Sequence, residues 1–243
     1  MKIITLNTWG GQAGREGILS FFNEHKDVDI FCLQEIYHKS DNLKHEYKKA
    51  MLDIFSDIQN VLTEHVGYFR PSIKYVGKEY GIALFINKGI EVLDEGEELI
   101  YFVSDYISGG NHSRNLQYAR FLKDEKEYTV INVHGLWNGK GKTDTEDRIK
   151  QSTIIKECVE SAKGLKILCG DFNLRPDTQS ISILEKGMRN LIKEYGITST
   201  RTEFYDKPEK YADYVFLSPE IEVKEFKVLP EQVSDHAALF LEI

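Results

Sequence analysis

The sequence predicts an α/β protein built on mixed sheets rather than one purely parallel sheet. Short β-branched or aromatic runs bounded by Gly, Asn, Asp or Pro recur along the whole chain, with amphipathic helical stretches between several of them. The middle, roughly 66–127, instead runs strand after strand through polar turns with no helix between, which parallel βα repeats would require. No Pro/Ser-rich or low-complexity linker interrupts the 243 residues, and the five prolines are scattered, so a single domain over 1–243 is expected.

In chain order, the first strand is KIITLN (2–7), followed by a helix over 15–26 and the strand VDIFCLQ (28–34). Helical periodicity then covers 41–65, and YGIALFIN (80–87) and YTVINVH (128–134) are strands. A helix over 143–164 opens with Thr/Asp caps and closes on Gly164. LKILCG (165–170), DYVFLS (213–218) and AALFLEI (237–243) complete the strands, and the whole reads as two similar halves packed together.

Composition sets bounds on function. Hydrophobic residues make up 41%, with 13 Phe and 13 Tyr, enough for a sizeable core. The formal net charge of -8 repels polyanions, which excludes tight, sequence-blind coating of nucleic acid. Cys32, Cys158 and Cys169 are an odd count without CxxC spacing, so reduced thiols, neither a disulfide framework nor a thiolate zinc site, and a cytoplasmic location are expected. The opening MKIITLN enters a strand directly, without the pattern of an export signal, and no apolar run approaches the roughly 18 residues of a membrane span. A monomer is the expected state.

Polar, metal-competent residues stand at the carboxyl ends of the apolar strands: Asn7, Glu35, His134, and the pair Asp171 and Asn173. Sheets fix the backbone there while the following loops expose side chains. A carboxylate at the depth of Glu35 needs a partner or a metal, and oxygen ligands from Asn7 and Glu35 suit a hard ion, Mg2+ or Mn2+. In Gly-Asp-Phe-Asn (170–173), two short polar side chains bracket an apolar residue and can face one cavity. Asp235 and His236 precede the last strand, and both can serve one site only if that segment is a loop, since neighbours in a strand point to opposite faces. Asp213 sits at a strand entry. Arg114, Arg120 and Arg148 are candidates for a substrate phosphate, Trp9 and Trp137 for stacking on a base, and His25, His38, His45, His65 and His112, in polar contexts, carry no assigned role.

Together, LNTWGG (6–11), LQEIY (33–37), NVHGLW (132–137), GDFNLRPD (170–177), ADYVFLSP (212–219) and SDHAAL (234–239) resemble the ordered motif series of the endonuclease/exonuclease/phosphatase superfamily. The resemblance implies a DNase I-like four-layer sandwich, two packed mixed β-sheets flanked by helices, and a Mg2+-dependent phosphoester hydrolase. It implies that Asn7 and Glu35 hold the metal, with Asp235 as a further metal or orienting group. Asp171 positions or deprotonates the attacking water, and Asn173 and His134 bind phosphoryl oxygens. Asp213 assists the leaving group or a neighbouring side chain, and His236 stabilises the transition state or acts with Asp235 as a base. LQEIY lacks the lysine usual in apurinic-site endonucleases, and KYADYVF lacks the Cys-Asp-Arg of inositol phosphatases. The leading expectation is a phosphodiesterase or nuclease acting on DNA, RNA or a nucleotide. Phosphomonoesterase action on a small metabolite or lipid headgroup is second, and a catalytically silent binding relative is third.

Overall fold

The computed structural model describes residues 1–40, 49–75, 77–104 and 112–243, which form two compact units. The first comprises Met1–Gly89, Thr200–Lys207 and Val223–Ile243, the second Ile90–Ser199 and Pro208–Glu222.

Twelve strands, five α-helices and one 3-10 turn (Trp9–Gly11) are described in chain order. They run β1 (Lys2–Asn7), α1 (Arg15–Glu24), β2 (Ile30–Tyr37), α2 (Ile54–Val61), β3 (His65–Tyr75), β4 (Lys78–Asn87), β5 (Glu91–Tyr101), β6 (Arg114–Lys123) and β7 (Lys126–His134). Then come α3 (Glu146–Ser161), β8 (Leu165–Asp171), α4 (Gln179–Glu185), β9 (Arg189–Asn190), α5 (Leu191–Glu194), β10 (Asp213–Leu217), β11 (Glu225–Val228) and β12 (Leu239–Glu242).

Each unit holds one six-stranded mixed sheet, as the strand pattern predicts: β11-β12-β1-β2-β4-β3 in the first and β5-β6-β7-β8-β10-β9 in the second. The two are built alike. A parallel pair lies at the centre of each, β1 with β2 and β7 with β8, and antiparallel strands flank it. The central strands are buried along almost their whole length, which is why they read as continuous apolar runs rather than alternating ones. In the first unit the apolar faces of α1 and α2 meet this sheet through Ile18, Phe21, Phe22, Ile54 and Ile58, all essentially inaccessible to solvent.

The helix expected over 41–65 is the main departure. Its residues 41–48 lie outside the described residues, and in the rest only Ile54–Val61 is helical. Two long-range backbone bonds explain the late start: Met51 N–H donates to Gly10 O (2.8 Å) and Ser40 N–H to Leu52 O (3.0 Å), which tie this stretch into turns. His65 already belongs to β3, where it pairs opposite Asn87. Its ring is buried and bonded to Val28 O (2.7 Å), so its setting is not the polar one expected, although the bond is a structural one. The helix expected over 143–164 runs Glu146–Ser161: the Thr145 side chain caps it by accepting from Arg148 N–H, and it ends at Ala162 rather than on Gly164, which lies two residues beyond at φ +67°. Cys32 and Cys169 are buried and Cys158 is half-buried. Among the described residues no helix is long and apolar enough to cross a membrane.

Candidate active site

In both sheets the central parallel pair ends on predicted site residues. Asn7 closes β1, Glu35 lies near the end of β2, His134 closes β7 and Asp171 closes β8. Carboxyl ends of parallel strands are where α/β folds expose polar groups, because the chain leaves the sheet there into loops.

In the first unit, Asn7 is fully buried, and its amide nitrogen donates to Glu35 Oε1 (3.1 Å) while its Oδ1 accepts from Trp9 N–H (3.0 Å). Glu35 is not past the strand, as the sequence implied, but inside it. The register of β2 against β4 shifts between Gln34 and Ile36, and Glu35 takes φ +58° at that bulge. A bulge re-aims one side chain without ending the strand. Thr8, completely buried, holds it there: its hydroxyl donates to Gln34 O and Glu35 O, both at 3.1 Å.

Ser234-Asp235-His236 comes to the same strand end because β12 pairs with β1. The segment lies outside β12, so the loop that the two neighbouring side chains require is present. Ser234 Oγ donates to Asn7 O (2.7 Å) and accepts from His236 N–H (3.2 Å). Asp235 receives Arg201 Nη1 at 3.2 Å, and His236 Nε2 lies 3.9 Å from Asp235 Oδ1. The donors here are oxygens, with no thiolate, a set that fits Mg2+ or Mn2+ better than a soft metal.

In the second unit three buried residues stand side by side on neighbouring strands: His134 on β7, Asp171 on β8 and Asp213 on β10, each in register with Asp171. Residues paired directly across a sheet point to the same face. His134 Nε2 is 3.8 Å from Asp171 Oδ2. Asn173 donates its backbone N–H to Asp171 Oδ1 (2.8 Å), and its amide nitrogen reaches Gly135 O at 3.3 Å. It does so at φ +54°, a region that Asn tolerates better than most residues. Gly170 makes the approach of β8 to β7 possible, since a Cβ there would fall 2.1 Å from Val133 O.

Of the three candidate arginines, Arg114 packs directly against a predicted site residue. It is buried, with Nη1 at 3.0 and 3.1 Å from the two ring nitrogens of His134. Arg120 pairs with Glu127 across β6 and β7 (3.0 Å). Arg148 donates to the Leu136 and Thr143 carbonyls (3.3 and 2.6 Å), so it braces a loop, and burial pushes its guanidinium pKa down. Thr8 and Ser234 stand in the motifs without an assigned role, and Asp144, in the Thr/Asp run expected to cap α3, instead bonds the first turn of α4 at Gln179 and Ser180.

A model of the Endonuclease/Exonuclease/phosphatase family matches residues 4–236. The chain belongs to that family. Solved structures share its fold at low identity. A family protein from Leptotrichia buccalis C-1013-b is 20% identical with a TM-score of 0.74, covering 100% of this chain and 99% of that one. A mannosyl-6-phosphatase from Bacteroides thetaiotaomicron VPI-5482 is also 20% identical with a TM-score of 0.74, covering 100% and 98%. The human nocturnin catalytic domain with bound sulfate is 16% identical with a TM-score of 0.68, covering 99% and 92%. No curated protein sequence matches. As a member of the endonuclease/exonuclease/phosphatase family, the chain has the DNase I-like α/β fold expected from its motifs.

Proposed function

We propose that this chain is a Mg2+-dependent phosphodiesterase that cleaves nucleic acid or a nucleotide by in-line attack of water, and that 1–243 acts as one catalytic domain. The observation that carries the reading is the buried row His134, Asp171 and Asp213 with Arg114 against His134, a concentration of acid, base and cation that a silent core has no need to bury. Asn7 and Glu35, with Asp235 as a further ligand or orienting group, would hold Mg2+, which would supply positive charge near a phosphoryl oxygen.

The remaining roles fall to the chain's own groups. Asp171, oriented by the Asn173 N–H, accepts a proton from the attacking water. Asn173 and His134 donate to the phosphoryl oxygens, and the Arg114 guanidinium adds fixed positive charge beside His134. Asp213 assists departure of the leaving oxygen. His236, held by Ser234 and next to Asp235, stabilises the charge that builds up in the transition state.

A second reading, a phosphomonoesterase acting on a small metabolite, is favoured by the likeness to a protein described as a mannosyl-6-phosphatase and by the net charge of -8. One panel separates the two: bis-p-nitrophenyl phosphate, p-nitrophenyl phosphate, a hexose 6-phosphate, and single- and double-stranded DNA and RNA, each with Mg2+ or EDTA. Metal-dependent cleavage of diesters, reduced about 10²- to 10⁴-fold in Asp171→Ala, is the expected result. Cleavage of monoesters alone would establish the second reading, and no cleavage of any member would leave a binding protein. Binding of a polymer should also weaken steeply with salt, whereas a small substrate gives a shallow response.

A further inference from the structure

After β1 the chain passes through three successive left-handed residues, Trp9, Gly10 and Gly11, at φ +50°, +58° and +75°. Glycine suits the second and third: a Cβ at Gly10 would meet the Tyr37 ring at 2.9 Å and one at Gly11 the Met51 sulfur at 2.5 Å. Trp9 is different. A bulky residue is strained in this region, and glycine would make the same turn without the strain. Its N–H is meanwhile fixed to Asn7 Oδ1 (3.0 Å), so the strained residue is coupled to a proposed metal ligand.

The indole has an aromatic neighbour at the surface. Phe204 is 46% exposed, yet its ring centroid lies 6.4 Å from that of Trp9 at 41°. Phe204 belongs to a strap anchored beside the same residues: Thr202 N–H donates to Asp235 O (3.3 Å), the Thr202 hydroxyl bonds Ser234 O, and Arg201 reaches Asp235 at 3.2 Å. Two aromatic rings, one on a left-handed residue bonded to Asn7 and one 46% exposed on the strap bonded to Asp235, thus stand together within a single unit.

We infer that Trp9 and Phe204 form a stacking platform for a nucleobase of the substrate, and that the left-handed backbone at Trp9 is retained to present its ring. The inference rests on the phosphoester reading above and makes these two residues its specificity determinants. Stacking is sequence-tolerant, because every base has a π face, so the platform selects nucleotides over base-free sugar phosphates without selecting a sequence.

Calorimetric titration of thymidine 5′-monophosphate and of deoxyribose 5-phosphate into the full chain tests this, in wild type, Trp9→Gly, Phe204→Ala and Phe204→Tyr. Wild type should bind the nucleotide about tenfold more tightly than the base-free sugar phosphate. Trp9→Gly and Phe204→Ala should close that gap, and Phe204→Tyr should keep it. Thermal unfolding supplies the readout that a merely structural role would fail, because Trp9→Gly should unfold no earlier than wild type. Equal affinity for the two ligands in wild type, a gap that survives both variants, or a Trp9→Gly chain that unfolds several degrees early would each overturn the inference. Hydrolysis assayed on the same samples reports separately: nucleotide preference without any phosphoester cleavage would keep the platform and remove the enzyme.

Discussion

Asn173 combines a backbone role and a side-chain role that two substitutions separate. Its left-handed φ of +54° lets its N–H reach Asp171, while its amide nitrogen reaches Gly135 O. Asn173→Gly keeps the backbone and removes the amide, so kcat should fall about 10²-fold with stability changed by less than about 1 kcal/mol. Asn173→Ala should lose the same activity and a further ~1–2 kcal/mol, because alanine resists the left-handed region. Steady-state kinetics with urea unfolding checks both, and equal stability in the two variants would show that the backbone there is unstrained. At this scale the sequence was readable where a short polar pair follows a buried strand, as in Asp171 and Asn173, or where a polar run precedes one, as in Asp235 and His236. It was not readable where a role depends on register between distant strands. The setting of Glu35 follows from a bulge against β4, and the contribution of Thr8 is to hold that bulge, so neither has a local signature. Nor does anything local mark Arg114, among 31 basic residues, as the one buried against His134.

Elements show the same division. Strands that lie buried at a sheet centre are legible to within two or three residues, whereas the helix over 41–65 is overestimated because bonds from Met51 to Gly10 and from Ser40 to Leu52 compete with helical ones. The loop after Asn173 depends on α4, whose first turn is fixed by Asp144: its carboxylate accepts from Gln179 N–H (2.7 Å), Ser180 N–H (3.0 Å) and Ser180 Oγ (2.6 Å). Burial pushes the Asp144 pKa up, but the hydrogen bonds from Ser180 and Gln179 outweigh it, and the folded value lies below the ordinary 3.8. A carboxylate depressed on folding contributes stability above its unfolded pKa and loses it as pH falls through the folded one. Asp144→Ala should therefore cost about 1 kcal/mol at pH 7, and the gap to wild type should close as the pH drops below 3.8. Urea unfolding of both chains at several pH values reads this directly, and a gap that widens in acid would contradict it. In the same unit, Gly170→Ala should cost about 3 kcal/mol or more, because its Cβ would meet the Val133 carbonyl and part β8 from β7 where His134 and Asp171 stand in register.

Across the whole molecule, chain connectivity sets what is brought together. Ser234 bonds Asn7 O across 227 residues of sequence, because β12 lies beside β1, so the first unit needs both ends of the chain to assemble its oxygen donors. Those donors sit in a protein of net charge -8, where bringing carboxylates together is unfavourable unless a cation offsets them. A metal that binds the folded chain and not the unfolded one stabilises it by mass action, about 2.7 kcal/mol at a hundred times the dissociation constant. For a chain of 243 residues that corresponds to a rise in thermal midpoint of roughly 5–10 °C. The shift should appear with MgCl2, be reversed by EDTA, and be absent with NaCl at the same ionic strength, which screens surface charge without filling a site. Glu35→Gln tests where the ion sits, since it removes the charge and leaves the side-chain shape, so most of the Mg2+ shift should vanish while the midpoint without metal holds or rises. A wild-type midpoint that ignores Mg2+, or a Glu35→Gln chain that responds as fully as wild type, would move the metal away from Asn7 and Glu35 and with it the proposed charge supply to the phosphoryl group.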